Sequence, residues 1–203
     1  MKRLISGMAA FAACTAIAVA QQPPAAGGGQ MRGGGQMGGQ KIGVATSLQR
    51  AYNGFKTNYT AAAEKMPDAD YNFKPGSTPE ARAFGAGIAH IANAQFNQCS
   101  ALTGQANPMQ GKNLEKELTT KAEITKALAD SFVICDKAFE AVTDANAMDM
   151  VKQGNNEVTR VAALYGVIVH GNEMAGTAYV YLRSKNIVPP STENMGRGMR
   201  GRG

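Results

Sequence analysis

Leu48, Tyr52, Phe55, Tyr59, Ala62 and Met66 follow one another at steps of three and four residues. At 3.6 residues per turn, that spacing puts all six on one face of a helix. The face is large and partly aromatic, so it must be covered by other helices. The pattern stops at Pro67, which cannot continue a helix.

Three further segments show the same periodicity. The second is expected to start at Thr78-Pro79-Glu80, with Thr78 as cap and Pro79 in the first helical position. Its stripe is Phe84, Ile88, Ile91, Gln95 and Leu102, with Cys99 beside it. The third opens on Thr120-x-x-Glu123, a capping box, and carries Ile124, Leu128, Phe132, Cys135, Phe139 and Val142. The fourth has two stripes. One is Val161, Tyr165, Ile168, Ala175, Tyr179 and Leu182, and the other is Ala163, Val167, His170, Met174, Ala178 and Tyr181. A helix apolar on two sides is expected to sit deep in a bundle, and this one should end near Asn186, before Pro189-Pro190. There is no strand alternation and no Asn-Gly hairpin signal, so the expected fold is all-α, a four-helix bundle. The segments Asp68–Ser77, Gly104–Leu118 and Thr143–Asn156 are long enough to cross the bundle. Tyr71 and Phe73 are expected to pin the first of them to the core.

The chain opens with Lys2 and Arg3, an apolar run from Leu4 to Val19, and Ala18-Val19-Ala20, the pattern of a secretory signal over residues 1–20. An uncleaved anchor is the alternative; the run is short for a span of about 20 residues. Residues 21–43 are rich in Gly, Gln, Met and Pro and are expected to be a disordered leader. The bundle occupies 44–190, and 191–203, ending in Arg-Gly repeats, is expected to be a disordered basic tail. Of 21 basic and 15 acidic residues, Lys2 and Arg3 fall in the signal, which leaves a net charge near +4, much of it in the tails. That argues against specific nucleic-acid binding. No membrane span is expected after cleavage, and the protein is expected to be exported, periplasmic or secreted. An oxidising compartment permits a disulfide between Cys99 and Cys135. Both positions also read as buried helix faces, and buried free thiols are the preferred reading.

His90 and His170 are the two histidines of the chain. Met174 lies four residues after His170, so the two share a helix face. The segment Val167-Ile168-Val169-His170-Gly171-Asn172-Glu173-Met174, running on to Tyr181-Leu182-Arg183 and Ile187-Val188-Pro189-Pro190, resembles the last core helix of the DinB/YfiT-like family. Leu48-Gln49-Arg50, Phe73-Lys74-Pro75 and the Phe84–Ala92 run with its histidine extend the resemblance over residues 44–190. It implies a DinB-like four-helix bundle in which His90, His170 and residue 174 converge. The family's third ligand is a histidine where this chain has Met174. The resemblance also implies a divalent metal, zinc or nickel, with open positions for water or a small-molecule ligand. Some members of that family act on thiol adducts.

A thioether is a weak donor to Zn²⁺ and a good one to Cu(I). The expected function is therefore an exported metal- or small-ligand-binding module with a degenerate or residual site. The alternatives are a metal-dependent hydrolase or thiol transferase using His90 and His170, a periplasmic copper-binding protein with a His₂Met set, and a structural protein that forms a homodimer. Asn93 and Asn97 are expected to line a pocket beside His90. The carboxylates Asp68, Asp70, Glu115 and Glu117 read as solvated charges. No G-x-S-x-G segment and no phosphate loop are present.

Overall fold

A computed structural model describes residues 41–200. The signal over 1–20, most of the 21–43 leader and the last three residues lie outside the described residues. Helix α1 spans Val44–Lys65 and buries the stripe expected of it. Its amino end is capped from far along the chain, where an Asp144 carboxylate oxygen accepts the Ala45 N–H at 2.8 Å. Gly43 permits this, because a Cβ there would fall on the Asp144 carboxylate. At the other end Lys121 donates to the Glu64 and Met66 carbonyls, at 2.9 Å each, which satisfies helix-end acceptors with a cation.

Helix α2 spans Phe84–Thr103, so the expected start at Thr78 is wrong. Residues 78–81 form a turn instead, with Ala81 N–H bonded to the Thr78 carbonyl. The cause lies in the preceding turn. The carbonyls of Phe73 and Tyr71 accept the Phe84 and Gly85 N–H groups at 3.0 and 2.8 Å and cap α2 without Thr78. Tyr71 and Phe84 pack edge to face at 5.4 Å, and Gly85 leaves room for the Tyr71 ring. Helix α2 ends at Gly104, whose φ of +68° suits glycine.

A single turn, α3 (Leu114–Glu117), interrupts the next linker and is anchored by buried Leu114. Helix α4 spans Lys121–Glu140 and starts on the expected capping box of Thr120 and Glu123. Its buried residues are the expected stripe, and Tyr52 stacks on Phe139 at 3.9 Å between ring centroids.

The linker after α4 holds a hairpin that the sequence reading does not expect. Strand β1 (Met150–Gln153) pairs antiparallel with β2 (Asn156–Thr159) around the two-residue loop Gly154-Asn155. Gly154 has φ +61°, which suits the glycine-first type II′ hairpin turn. Helix α5 follows directly as Arg160–Ser184. It closes on a left-handed Asn186, with the Asn186 and Ile187 N–H groups bonded to the Arg183 and Leu182 carbonyls at 2.9 Å, a Schellman ending.

Two further expectations fail. Residues 191–200 belong to a helix, α6 (Pro190–Arg200), rather than to a tail. Pro190 occupies the first helical position, where its missing N–H costs nothing. The Glu193 carboxylate in the first turn meets Lys65 at 2.6 Å, tying α6 to α1. The cysteines are not free thiols either. Cys99 and Cys135 form a disulfide across the α2–α4 contact, with Cα atoms 4.9 Å apart, within the usual bridging range.

Helix α1 packs on α4 and α5, and α2 packs on the same two helices. Consecutive helices α1 and α2 are therefore diagonal partners, and the linker between them crosses the bundle. Tyr165, expected inside, is on the outer face of α5. Among the described residues, no helix is long and apolar enough to cross a membrane.

Candidate functional site

Because α2 and α5 are neighbours, His90 and His170 meet. Their Nε2 atoms are 3.2 Å apart, with the rings nearly perpendicular. Both side chains are half-buried. Two glycines lie close to the pair along the chain. Gly171 lets the Phe55 ring lie against the α5 backbone, since a Cβ there would sit 2.5 Å from Phe55 Cζ. Gly87, one turn before His90, receives the Tyr59 hydroxyl on its carbonyl at 3.1 Å.

The third member of the cluster is Glu115. Its carboxylate lies 2.6 Å from His90 Nδ1 and accepts the Arg82 Nε–H at 2.8 Å. An ionised carboxylate can only accept, so His90 carries its proton on Nδ1. The Nε2 of His90 then faces His170 and shares one proton with it when neither ring is charged. Burial by itself would raise the Glu115 pKa. The hydrogen bonds from His90 and Arg82 more than offset this and hold it below the ordinary 4.5. Burial, followed by the charge on His90, lowers the His170 pKa below 6.5, which favours the neutral imidazole.

The expectation that Glu115 is a solvated charge is therefore corrected. It is the residue that orients His90. The one available signal was Leu114, an apolar residue in a polar linker, which docks α3 on the bundle. Asn93 holds that docking, its side-chain oxygen accepting the Leu114 N–H at 2.9 Å. Glu117 folds back to the Asn113 N–H, and Asp68 and Asp70 pair with Lys121 and Lys185.

Met174 is placed differently from the two histidines. It lines a small apolar cavity with Tyr59, Gly87, Ile88 and Ala178, which neither histidine lines. His90, Asn93, Asn97, Lys112 and Glu115 line a separate open cleft of about 300 Å³, as expected for the two asparagines. Glu173 is exposed. Among the described residues, no group of three or more His, Cys, Asp or Glu side chains is arranged to hold a metal ion. What the geometry offers is two imidazole nitrogens with a carboxylate behind one of them.

Residues 53–174 match the family described as the DinB superfamily. Among solved structures, a DinB-like protein from Bacillus cereus superposes with a TM-score of 0.60 at 14% identity, over 71% of this chain and 95% of that one. A conserved protein from Enterococcus faecalis gives 0.57 at 16% identity, over 70% and 97%. A DinB-like protein from Bacillus subtilis gives 0.53 at 20% identity, over 69% and 92%. At these identities the likeness is one of fold. No curated protein matches the chain.

Proposed function

This chain belongs to the DinB superfamily, and on that premise we propose that it binds a divalent metal ion, Zn²⁺ or Ni²⁺, together with a small ligand, through His90 and His170. The supporting observation is the 3.2 Å between the two Nε2 atoms. Two nitrogens at bonding distance from one tetrahedral ion are separated by about 3.3 Å. Glu115 on His90 Nδ1 adds the carboxylate–histidine arrangement that fixes the tautomer and strengthens the ligand. A bound ion would supply Lewis acidity and open positions for water or ligand.

The chain's own residues prepare that site. Glu115 holds the His90 proton on Nδ1 and leaves Nε2 free to donate its lone pair. Arg82 fixes Glu115 in turn. Partial burial favours the neutral form of His170, the form in which an imidazole can ligate a metal ion. Met174 contributes shape to the neighbouring cavity, which favours a two-imidazole centre over a His₂Met copper site.

Export belongs to the same proposal. The apolar opening with Ala18-Val19-Ala20 supports it, and so does the Cys99–Cys135 disulfide, since such bonds persist in oxidising compartments. The test is metal stoichiometry on the exported protein after stripping and reloading with Zn²⁺, Ni²⁺ or Cu(I). One Zn²⁺ or Ni²⁺ per chain is expected, lost in His90→Ala and in His170→Ala and kept in Met174→Ala. Metal content independent of both histidines would refute the site. Preferential Cu(I) binding lost in Met174→Ala would replace it with the copper reading.

A further inference from the structure

We infer that a second site, in a cleft lined by Glu115 and by neither histidine, binds a small dianion carrying carboxylate or phosphate groups. The cleft that Glu115 shares with Arg82 has a volume of about 380 Å³, a size that accommodates a small metabolite. Three cationic residues line it: Lys74 from the turn before α2, Arg82 at the approach to α2, and Lys116 from α3. Lys74 and Lys116 make no ion pair among the described residues. Arg82 uses Nε on Glu115, and its two terminal nitrogens make no hydrogen bond among the described residues. A guanidinium with that edge free is suited to bidentate binding of a carboxylate or phosphate.

Among the described residues lining the cleft, the only carboxylate is that of Glu115, and it is already shared between His90 and Arg82. Three positive charges against one negative charge leave the cleft cationic, so an oxyanion is the ligand class favoured, and more than one free cation favours a dianion. Asn72 adds a neutral polar group. Glu115 also makes the cleft selective. A bound anion must approach Arg82 within the field of the Glu115 carboxylate and compete with it for the guanidinium. Anion binding at Arg82 is thereby coupled to the residue that orients His90.

The site stands on the cleft and its cations and does not depend on metal. The test is calorimetric titration of the metal-stripped full chain at low ionic strength with succinate and with inorganic phosphate, and with uncharged succinamide as control. Saturable binding of at least one dianion is expected, and whichever is tighter identifies the carboxylate or phosphate source. Binding should weaken at least tenfold in Lys74→Ala/Lys116→Ala, whose side chains are exposed and whose fold is checked by circular dichroism. It should tighten several-fold in Glu115→Gln. No saturable binding of either dianion, equal binding in the double lysine variant, or weaker binding in Glu115→Gln would overturn the site. Loss of metal binding with anion binding intact would refute the metal centre alone.

Discussion

Reducing the Cys99–Cys135 bond should cost the protein about 4 kcal/mol of stability. The bond closes a loop with a sequence separation of 36 residues. In the chain-entropy treatment, closing a loop of about that length removes roughly 13 cal/mol/K from the unfolded ensemble, or about 3.8 kcal/mol at 25 °C. Both sulfurs are fully buried and join helices that pack together anyway, so the folded state should survive reduction with its contacts in place. For a domain of about 160 residues, the loss corresponds to a fall in Tm of about 10 °C. The assay is urea and thermal unfolding followed by circular dichroism at 222 nm, on the oxidised protein and on protein unfolded and refolded in reductant. Comparing the two forms of one sequence removes any packing change that a substitution would add. Curves that coincide within about 1 kcal/mol would refute the reasoning, as would free thiols found by mass spectrometry in protein recovered from an oxidising compartment.

Two glycines of α5 should respond in opposite directions to alanine. Gly176→Ala meets open space and should raise stability by up to about 1 kcal/mol through helix propensity. Gly171→Ala drives a methyl into the buried Phe55 ring and should lower stability by about 1–2 kcal/mol after that gain; equal effects in denaturant unfolding would contradict the packing described. Stability should also fall in two steps with acid. The lowered His170 pKa means that the unfolded chain takes up a proton first, so stability is lost as pH drops below 6.5. The lowered Glu115 pKa gives a second loss below 4.5. His170→Gln should abolish the upper step, which unfolding measured across pH would reveal. Thr120→Ala removes the cap of α4 and should cost about 1 kcal/mol, read from the same denaturation curves.

The helical core was legible because its signals are local. The spacing of Leu48, Tyr52, Phe55 and Tyr59 fixes a buried face, and Thr120 with Glu123 marks a start within one turn of chain. Glu115 was not legible in that way. Its role depends on α3 docking against α2, a contact between residues 25 apart that leaves no periodic trace. The start of α2 was misread for a related reason, because a cap made of backbone carbonyls from residues 71 and 73 has no side-chain signature. Pro189-Pro190 is an ambiguous signal, since proline ends one helix and begins another equally well. The hairpin was missed because its strands have only four residues each. The histidine pair was found through residue type and spacing, but the displacement of Met174 into its own cavity could be seen only in three dimensions.

The diagonal placement of α1 and α2 has a consequence for how the molecule is made. Until α5 is present, α1 has only α4 to pack on, and Phe55 lacks the Gly171 backbone that covers it. The ring of helices is closed by α5, the last of the four long helices in chain order. A nascent chain that lacks α5 therefore leaves the side of α1 that packs on α5 uncovered and has no complete core. Completion of the core therefore waits on α5, in whatever order the earlier helices form.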